Sequence, residues 1–89
     1  MLNIFKVRGV SMLPNLKPRQ YVLSIATKKI KKDDLVVVRD YSNEKIIKRV
    51  SWIDNDKFKL VSDNKNYPSS KTEKVFESID LIGKVILKF

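Results

Sequence analysis

A serine and a lysine, Ser11 and Lys48, are the two residues of this sequence whose types could carry out hydrolysis together. Ser11 lies in "RGVSMLPNL", where Pro14 is typical of a bend. A serine hydroxyl becomes a good nucleophile only when a base takes its proton, and the chain contains no histidine and no cysteine. The bases that remain are a carboxylate or a neutral lysine.

Lys48 lies in "KIIKRVSW", a segment typical of a β-strand. Alternate residues of a strand share a face, which places Lys48 in a row with Ile46, Val50 and Trp52. An ammonium group held among apolar side chains is disfavoured and tends to lose its proton, which would make Lys48 a base. Arg49 cannot take this role, because a guanidinium does not deprotonate in proteins. The alternative is that the lysine stem packs on its neighbours while the amine reaches solvent.

Short runs of β-branched and aromatic residues, separated by polar turns, predict a mostly β fold. The turn-forming sequence "DYSNEK" at Asp40–Lys45 predicts that the strands on either side of it pair antiparallel. Ser62–Lys74 predicts a surface loop, and "SMLPNL" could form one helical turn with Ser11 at its N-cap. The six expected strands are Asn3–Gly9, Gln20–Ile25, Leu35–Asp40, Lys45–Trp52, Lys57–Val61 and Leu81–Lys88.

The 89 residues, of which 43% are apolar, predict a single small domain over residues 1–89. The longest apolar run, Leu35–Val38, is far too short to cross a membrane, and Lys6 and Arg8 are charges that argue against a signal peptide. We therefore expect a soluble, cytoplasmic protein. The absence of cysteine and histidine argues against disulfides and a zinc site, and we expect no metal and no cofactor.

The net charge of +9 leaves an anionic partner open. Its densest cluster, "KKIKK" at Lys28–Lys32, lacks the helix-turn-helix, zinc-finger or glycine-rich sequence of a nucleic-acid or phosphate site, and we interpret it as a solvated turn. Nucleic acid is therefore not the expected partner. A nucleic-acid-binding β-barrel with Tyr21, Tyr41, Trp52 and Tyr67 as stacking surfaces is an alternative that leaves Ser11 and the lysine row unexplained.

Several segments resemble, in order and spacing, the Ser-Lys peptidases, a group that comprises the bacterial type I signal peptidases and the LexA-type repressor peptidases. The resemblance covers nearly the whole chain. It implies antiparallel strands in a partly open barrel or coiled sheet, like the signal peptidases and the C-terminal domain of LexA-type repressors. The segments are "GVSMLPNL" at 9–16, "YVLS" at 21–24, "KKDDLVVV" at 31–38, "IIKRV" at 46–50, "LVSDN" at 60–64 and "LIGKVI" at 81–86.

The resemblance implies roles for single residues. Ser11 matches the nucleophile, and Lys48 matches the general base that takes its proton. The backbone N–H groups of Val10 and Ser11 match the oxyanion donors. Gly9 stands where some signal peptidases carry a second hydroxyl, so oxyanion stabilisation would rest on the backbone. Met12 matches a methionine that packs under the nucleophile.

Further positions are candidates to support this pair. Asp63 in "SDN" resembles an aspartate that supports the signal-peptidase site, and a turn-capping role is the alternative for it. Ser69 or Ser70 could hydrogen-bond the lysine amine. Family members usually carry Gly-Asp where this chain has "RQ" at 19–20 and "DD" at 33–34, so we expect the geometry of these turns to be affected.

The resemblance implies a serine endopeptidase that cuts another protein. LexA-type repressors cleave themselves at an Ala-Gly bond, whereas Gly9 and Gly83 follow Arg8 and Ile82 here, and no membrane anchor is seen before Ser11. These features are most similar to the proteases that mature nickel-type superoxide dismutase by removing an N-terminal extension. The expected partner is a precursor protein bound as an extended strand, with a homodimer left open. A LexA-like fold that serves only as a regulatory or binding module is the alternative.

Overall fold

The computed structural model describes residues 1–66 and 74–89. These residues form one seven-stranded antiparallel sheet, which coils into a half-barrel. No helix long and apolar enough to cross a membrane occurs in these two ranges. In chain order the elements are β1 (Leu2–Lys6), β2 (Tyr21–Ile25), β3 (Leu35–Arg39), β4 (Lys45–Asp54), β5 (Lys57–Val61), β6 (Phe76–Glu77), a 3-10 turn (Ser78–Asp80) and β7 (Leu81–Lys88).

The order of strands in the sheet is β1-β2-β7-β3-β4-β5-β6, so β1 and β6 lie at the two edges. β7 pairs with β2 on one side and with β3 on the other, and thereby joins the N-terminal hairpin to the β3–β4–β5 meander. The register shifts between Leu23 and Ser24 and between Val37 and Val38 along these two pairings. Such irregularities increase the local twist, which suits a coiled sheet.

Two clusters of buried apolar side chains stabilise the sheet. The centre of β3 is buried on both faces, because Val36, Val37 and Val38 have no exposed surface. A short, continuous apolar run is the sequence pattern of such a strand. The first cluster contains Val36, Val38, Val50, Phe58, Leu60, Phe76 and Leu81, and the second contains Val7, Met12, Leu16 and Val22.

The predicted fold class is confirmed, and all six predicted strands are present with boundaries shifted by a few residues. The predicted antiparallel hairpin is also present, since β3 pairs with β4 across Asp40–Lys45. In its turn, one carboxylate oxygen of Asp40 accepts hydrogen bonds from the N–H groups of Ser42 and Glu44. β6 was missed, because two residues are too few to show a periodicity.

A bulge in β4 changes the predicted lysine row. The pairing with β5 shifts between Val50 and Trp52, so one extra residue enters β4 at this point. Trp52 is 43% exposed, and Ile53 packs against the first cluster in its place. The placement of Trp52 in the row was therefore wrong, whereas Ile46, Lys48 and Val50 keep the predicted alternation.

The two turns that lack the family's glycines keep a glycine-like geometry. Arg19 and Asp33 have φ values of 72° and 76°, in the left-handed region that L-residues rarely adopt. The N–H of Arg19 donates to the carbonyl of Val7, and the N–H of Asp33 donates to the carbonyl of Val50. These bonds fix each turn against a neighbouring segment, and an L-residue held at such a φ carries backbone strain.

Arg19→Gly is expected to stabilise the protein. A left-handed conformation costs an L-residue about 1–2 kcal/mol, and the greater freedom of glycine in the unfolded chain cancels part of that gain. We expect a net gain of about 0.5–1 kcal/mol in the free energy of unfolding, measured by urea denaturation. Lys17→Gly, in the same loop but without a positive φ, serves as the control and should destabilise. A loss of stability in both variants would contradict this account.

Candidate active site

Ser11 lies in the turn that follows β1, and backbone hydrogen bonds define this turn. Gly9 has a φ of 72°, which glycine adopts without strain. The N–H of Leu16 donates to the carbonyl of Met12 at 2.9 Å, which closes one turn within the predicted segment. No described backbone N–H donates to Ser11 Oγ, so the predicted N-cap is absent. Met12 is 2% exposed and packs in the second apolar cluster. Burial of Met12, the residue next to Ser11, therefore fixes the turn against the second apolar cluster.

Lys48 lies in the middle of β4 with its side chain 4% exposed. Its amine does not reach solvent at the sheet edge but lies against the Ser11 turn. The Nζ atom donates hydrogen bonds to Ser11 Oγ at 2.5 Å and to Ser62 Oγ at 3.1 Å. The structure thus brings the two predicted residues together from positions 37 residues apart in the chain.

Ser62 is a residue of this site that the sequence analysis missed. It directly follows β5, in which Val61 pairs with Arg49 of β4. That register sets Ser62 beside Lys48, which places its hydroxyl near the amine. Only knowledge of the strand pairing could have identified it. The predicted partners of the amine, Ser69 and Ser70, lie outside the described residues.

Asn64 ties the same segment to the Ser11 turn. Its N–H donates to the carbonyl of Ser11 at 2.8 Å, and its side-chain Nδ2 donates to the carbonyl of Val10 at 2.9 Å. Both carbonyls are thereby engaged, while the N–H groups of Val10 and Ser11 donate to no other described residue. A Cβ built at Gly9 would meet no atom within 4 Å, so the space beside these N–H groups is open.

Asp63 links β4 to the loop that follows Ser11. Its carboxylate accepts two hydrogen bonds from Arg49, at 2.7 and 2.8 Å, and one from Asn15 Nδ2 at 2.7 Å. Arg49 also donates to the carbonyl of Asp33 at 2.8 Å. The bidentate pairing of Arg49 with Asp63 suits the planar guanidinium and fixes its orientation. Asp63 therefore contacts side chains of distant segments, and the turn-capping interpretation does not describe it.

The charge state of the Arg49–Asp63 pair follows from these bonds. The hydrogen bond from Arg49 lowers the pKa of the Asp63 carboxyl, and the bond from Asn15 lowers it further. Partial burial acts in the opposite direction and raises this pKa, but its effect is smaller than that of Arg49. The same bond with Asp63 raises the pKa of Arg49 against the effect of burial. Both residues are consequently charged at neutral pH. Because neighbours on a strand face opposite sides, this pair lies on the face away from the Lys48 amine.

The chain is similar to a known protein family. The chain matches the family described as Peptidase S24-like over residues 2–86, a range that contains the Ser11 turn, β4 and the Ser62–Asn64 segment. The protein belongs to the Peptidase S24-like family. No curated protein matches this S24-like chain.

A groove of about 660 Å³ leads away from Ser11 and Lys48 in this S24-like protein. It runs between β1 and the β3–β4 hairpin. Residues 1–66 and 74–89 contain no group of three or more metal-binding side chains, so no such group lines the groove. Its apolar lining includes Phe5, Val7, Met12, Val37 and Ile47, and its other charged lining residues are Lys6, Arg8, Glu44 and Lys45.

Asp63→Asn is expected to destabilise the protein at neutral pH and to have little effect in acid. The pKa of Asp63 is lower in the folded state, so its contribution is present above the unfolded value of about 3.9 and is lost as the pH falls below it. We expect a loss of about 1–2 kcal/mol at pH 7, because the bonds are charge-assisted but partly solvated. Urea denaturation at pH 7 and at about pH 2.5 measures this difference. Asp56→Asn, at an exposed turn, is the control, and an equal effect of both variants would contradict this account.

Ser62→Ala is expected to shift the titration of Lys48. Ser62 accepts a hydrogen bond from the Lys48 amine, and loss of an acceptor disfavours the charged form. Lys48 should therefore lose its proton at a lower pH in this variant than in the wild type, as followed by NMR of labelled lysine. Ser62→Thr keeps a hydroxyl and should restore the wild-type titration, and Ser51→Ala, at an exposed position of β4, should leave it unchanged. An unaltered titration in Ser62→Ala would contradict this role.

Proposed function

We propose that the protein is a serine endopeptidase in which Ser11 is the nucleophile and Lys48 is the general base. The observation that supports this most directly is the 2.5 Å contact between Lys48 Nζ and Ser11 Oγ, at a lysine that is 4% exposed. Nucleophile and base within hydrogen-bond reach are the arrangement that serine-dependent acyl transfer requires. Membership of the Peptidase S24-like family supports the same reaction class.

The base must be a neutral amine, and the energies involved make this state accessible. A solvated lysine with a pKa of about 10.4 is neutral in about one molecule of 2,500 at pH 7, and removing its proton there costs about 4.6 kcal/mol. Burying a charged amine costs several kcal/mol, a penalty of the same size. The Asp63 carboxylate opposes this effect by favouring the charged form of Lys48, but Asp63 is itself paired with the opposite charge of Arg49 at 2.7 Å.

In the proposed reaction, Ser11 Oγ attacks the carbonyl carbon of the peptide bond while its proton moves to Lys48 Nζ. Lys48 then gives that proton to the leaving amine, and an ester on Ser11 remains. Water attacks the ester, transfers a proton to Lys48, and the serine hydroxyl is restored when Lys48 returns the proton to it. The N–H groups of Val10 and Ser11 are the proposed donors to the oxyanion, as they donate to no other described residue.

The proposed substrate is a separate precursor protein, from which a short N-terminal extension is removed. A groove that opens on Ser11 suits an extended segment of chain. The resemblance of the sequence motifs makes the precursor of a nickel-type superoxide dismutase the first candidate. Incubation of the protein with such a precursor, followed by mass measurement of the product, tests this choice separately from the peptidase activity.

The peptidase activity is tested with a peptide library derived from a whole proteome. Wild-type protein should produce new peptide ends, whereas Ser11→Ala and Lys48→Met should lose at least about a thousandfold of the cleavage rate, since a nucleophile and its base act as a unit. Lys59→Met, which removes an exposed lysine of β5, is the matched control and should cleave normally. The rate should rise with pH through the titration of Lys48, because only the neutral amine accepts the serine proton.

Two outcomes would overturn the proposal. Cleavage that persists in Ser11→Ala would show that another group or a contaminant is responsible. A folded wild-type protein that cleaves nothing, together with a Lys48 titration at the pH of a solvated lysine, would instead indicate a regulatory or binding module with a peptidase fold.

A further inference from the structure

The free edge of β1 has a defined set of backbone groups that face the groove. Val7 donates to the carbonyl of Gln20 and Met1 accepts from Ala26, so the odd-numbered residues of this segment direct their N–H and C=O groups toward β2. The N–H and C=O groups of Ile4 and Lys6 consequently point the other way. No strand within residues 1–66 and 74–89 pairs with this edge, and residues 4–12 line the groove.

A peptide that pairs with this edge must alternate its side chains between two different environments. The side chains of Phe5, in β1, and of Val7, which directly follows β1, point toward the interior, whereas Ile4 and Lys6 are exposed on the outer face. Side chains of an added strand lie beside the same-face side chains of β1, with a period of two residues. One set of peptide side chains therefore enters the apolar groove, and the other set lies on the outer face.

The outer face of this edge is positively charged. Lys6 and Arg8 are both exposed, and Arg8 forms no hydrogen bond or ion pair with any described residue. Lys45 is a further cation on the groove side of this edge, with Nζ 5.4 Å from the ring centre of Phe5. Glu44 is the one acidic residue among the described residues that line the groove. Opposite charges on neighbouring strands stabilise the pairing, and like charges destabilise it.

We propose that the groove binds an extended peptide segment in which acidic side chains alternate with apolar ones. The acidic side chains lie beside Lys6 and Arg8 on the outer face, and the apolar side chains enter the groove next to Phe5 and Val7. As an account of substrate choice, this inference rests on the proposed peptidase function. Lys6 and Arg8 are specificity-determining residues in it and take no part in the bond-breaking steps.

The test measures binding, so it does not depend on cleavage. Two fluorescein-labelled seven-residue peptides, one alternating valine with glutamate and one alternating valine with lysine, are titrated against the full chain carrying Ser11→Ala. Arg8→Glu and Lys32→Glu are then added singly to that chain. Both variants have the same net charge, and Lys32 is exposed and outside the groove. Fluorescence anisotropy gives the affinities, and backbone NMR shows which amides respond.

The glutamate peptide should bind at least about tenfold more tightly than the lysine peptide and should shift the amide signals of Ile4 and Lys6. Arg8→Glu should weaken this binding at least about threefold more than Lys32→Glu, as expected for a local charge pair. Equal weakening by both variants would show attraction to net charge alone and would overturn the inference. Absence of binding, or shifts confined to other strands, would overturn it as well.

A failure of this binding inference can be distinguished from a failure of the proposed peptidase function. If wild-type protein binds the glutamate peptide as expected but cleaves no peptide in the library, the peptidase proposal fails and the binding inference stands. If the library is cleaved without enrichment of acidic residues at alternate positions, the peptidase proposal stands and the inference on specificity fails.

Discussion

The hydrogen bond between Lys48 and Ser11 depends on the register between β4 and β5. Ser11 is on a turn next to an edge strand, and Lys48 is in the interior of the sheet. The Ser62–Asn64 segment joins them, because Ser62 contacts the lysine amine and Asn64 holds the carbonyl of Ser11. The same register pairs Val50 with Leu60 in the apolar core. A slip of one residue would therefore disrupt the core and the site together.

The sequence Lys48-Arg49 shows how a strand separates two cations with different tasks. Because alternate residues face opposite sides, the lysine lies between hydroxyl groups, and the arginine lies against Asp63 on the other face. Arg49 stays charged, and its bonds to Asp63 and to the carbonyl of Asp33 fix its position. Exchange of the two residue types would place a permanent charge in the interior and leave Asp63 with a flexible partner.

Much of the fold and part of the site could be predicted from local pattern. The runs of β-branched residues predicted the strands, and alternation placed Lys48 among apolar neighbours, since both signals are set by adjacent residues. The bulge that exposes Trp52 depends on the pairing of β4 with β5, and β6 exists through its contact with β5, including stacked rings of Phe58 and Phe76. The partnership of Ser62 with Lys48 has the same origin. Except at the β3–β4 hairpin, whose turn sequence indicated the pairing, residue types alone did not predict which strands pair or in which register, because these are non-local properties.

The open edge of β1 has a consequence for the protein in concentrated solution. Leu2 and Ile4 are 57% and 60% exposed beside backbone groups that no described strand covers, and such an edge promotes aggregation between molecules. A net charge of +9 opposes this, because like-charged molecules repel each other. The range of that repulsion falls from about 10 Å at 0.1 M salt to about 3 Å at 1 M. The colloidal stability of this protein is therefore tied to low ionic strength.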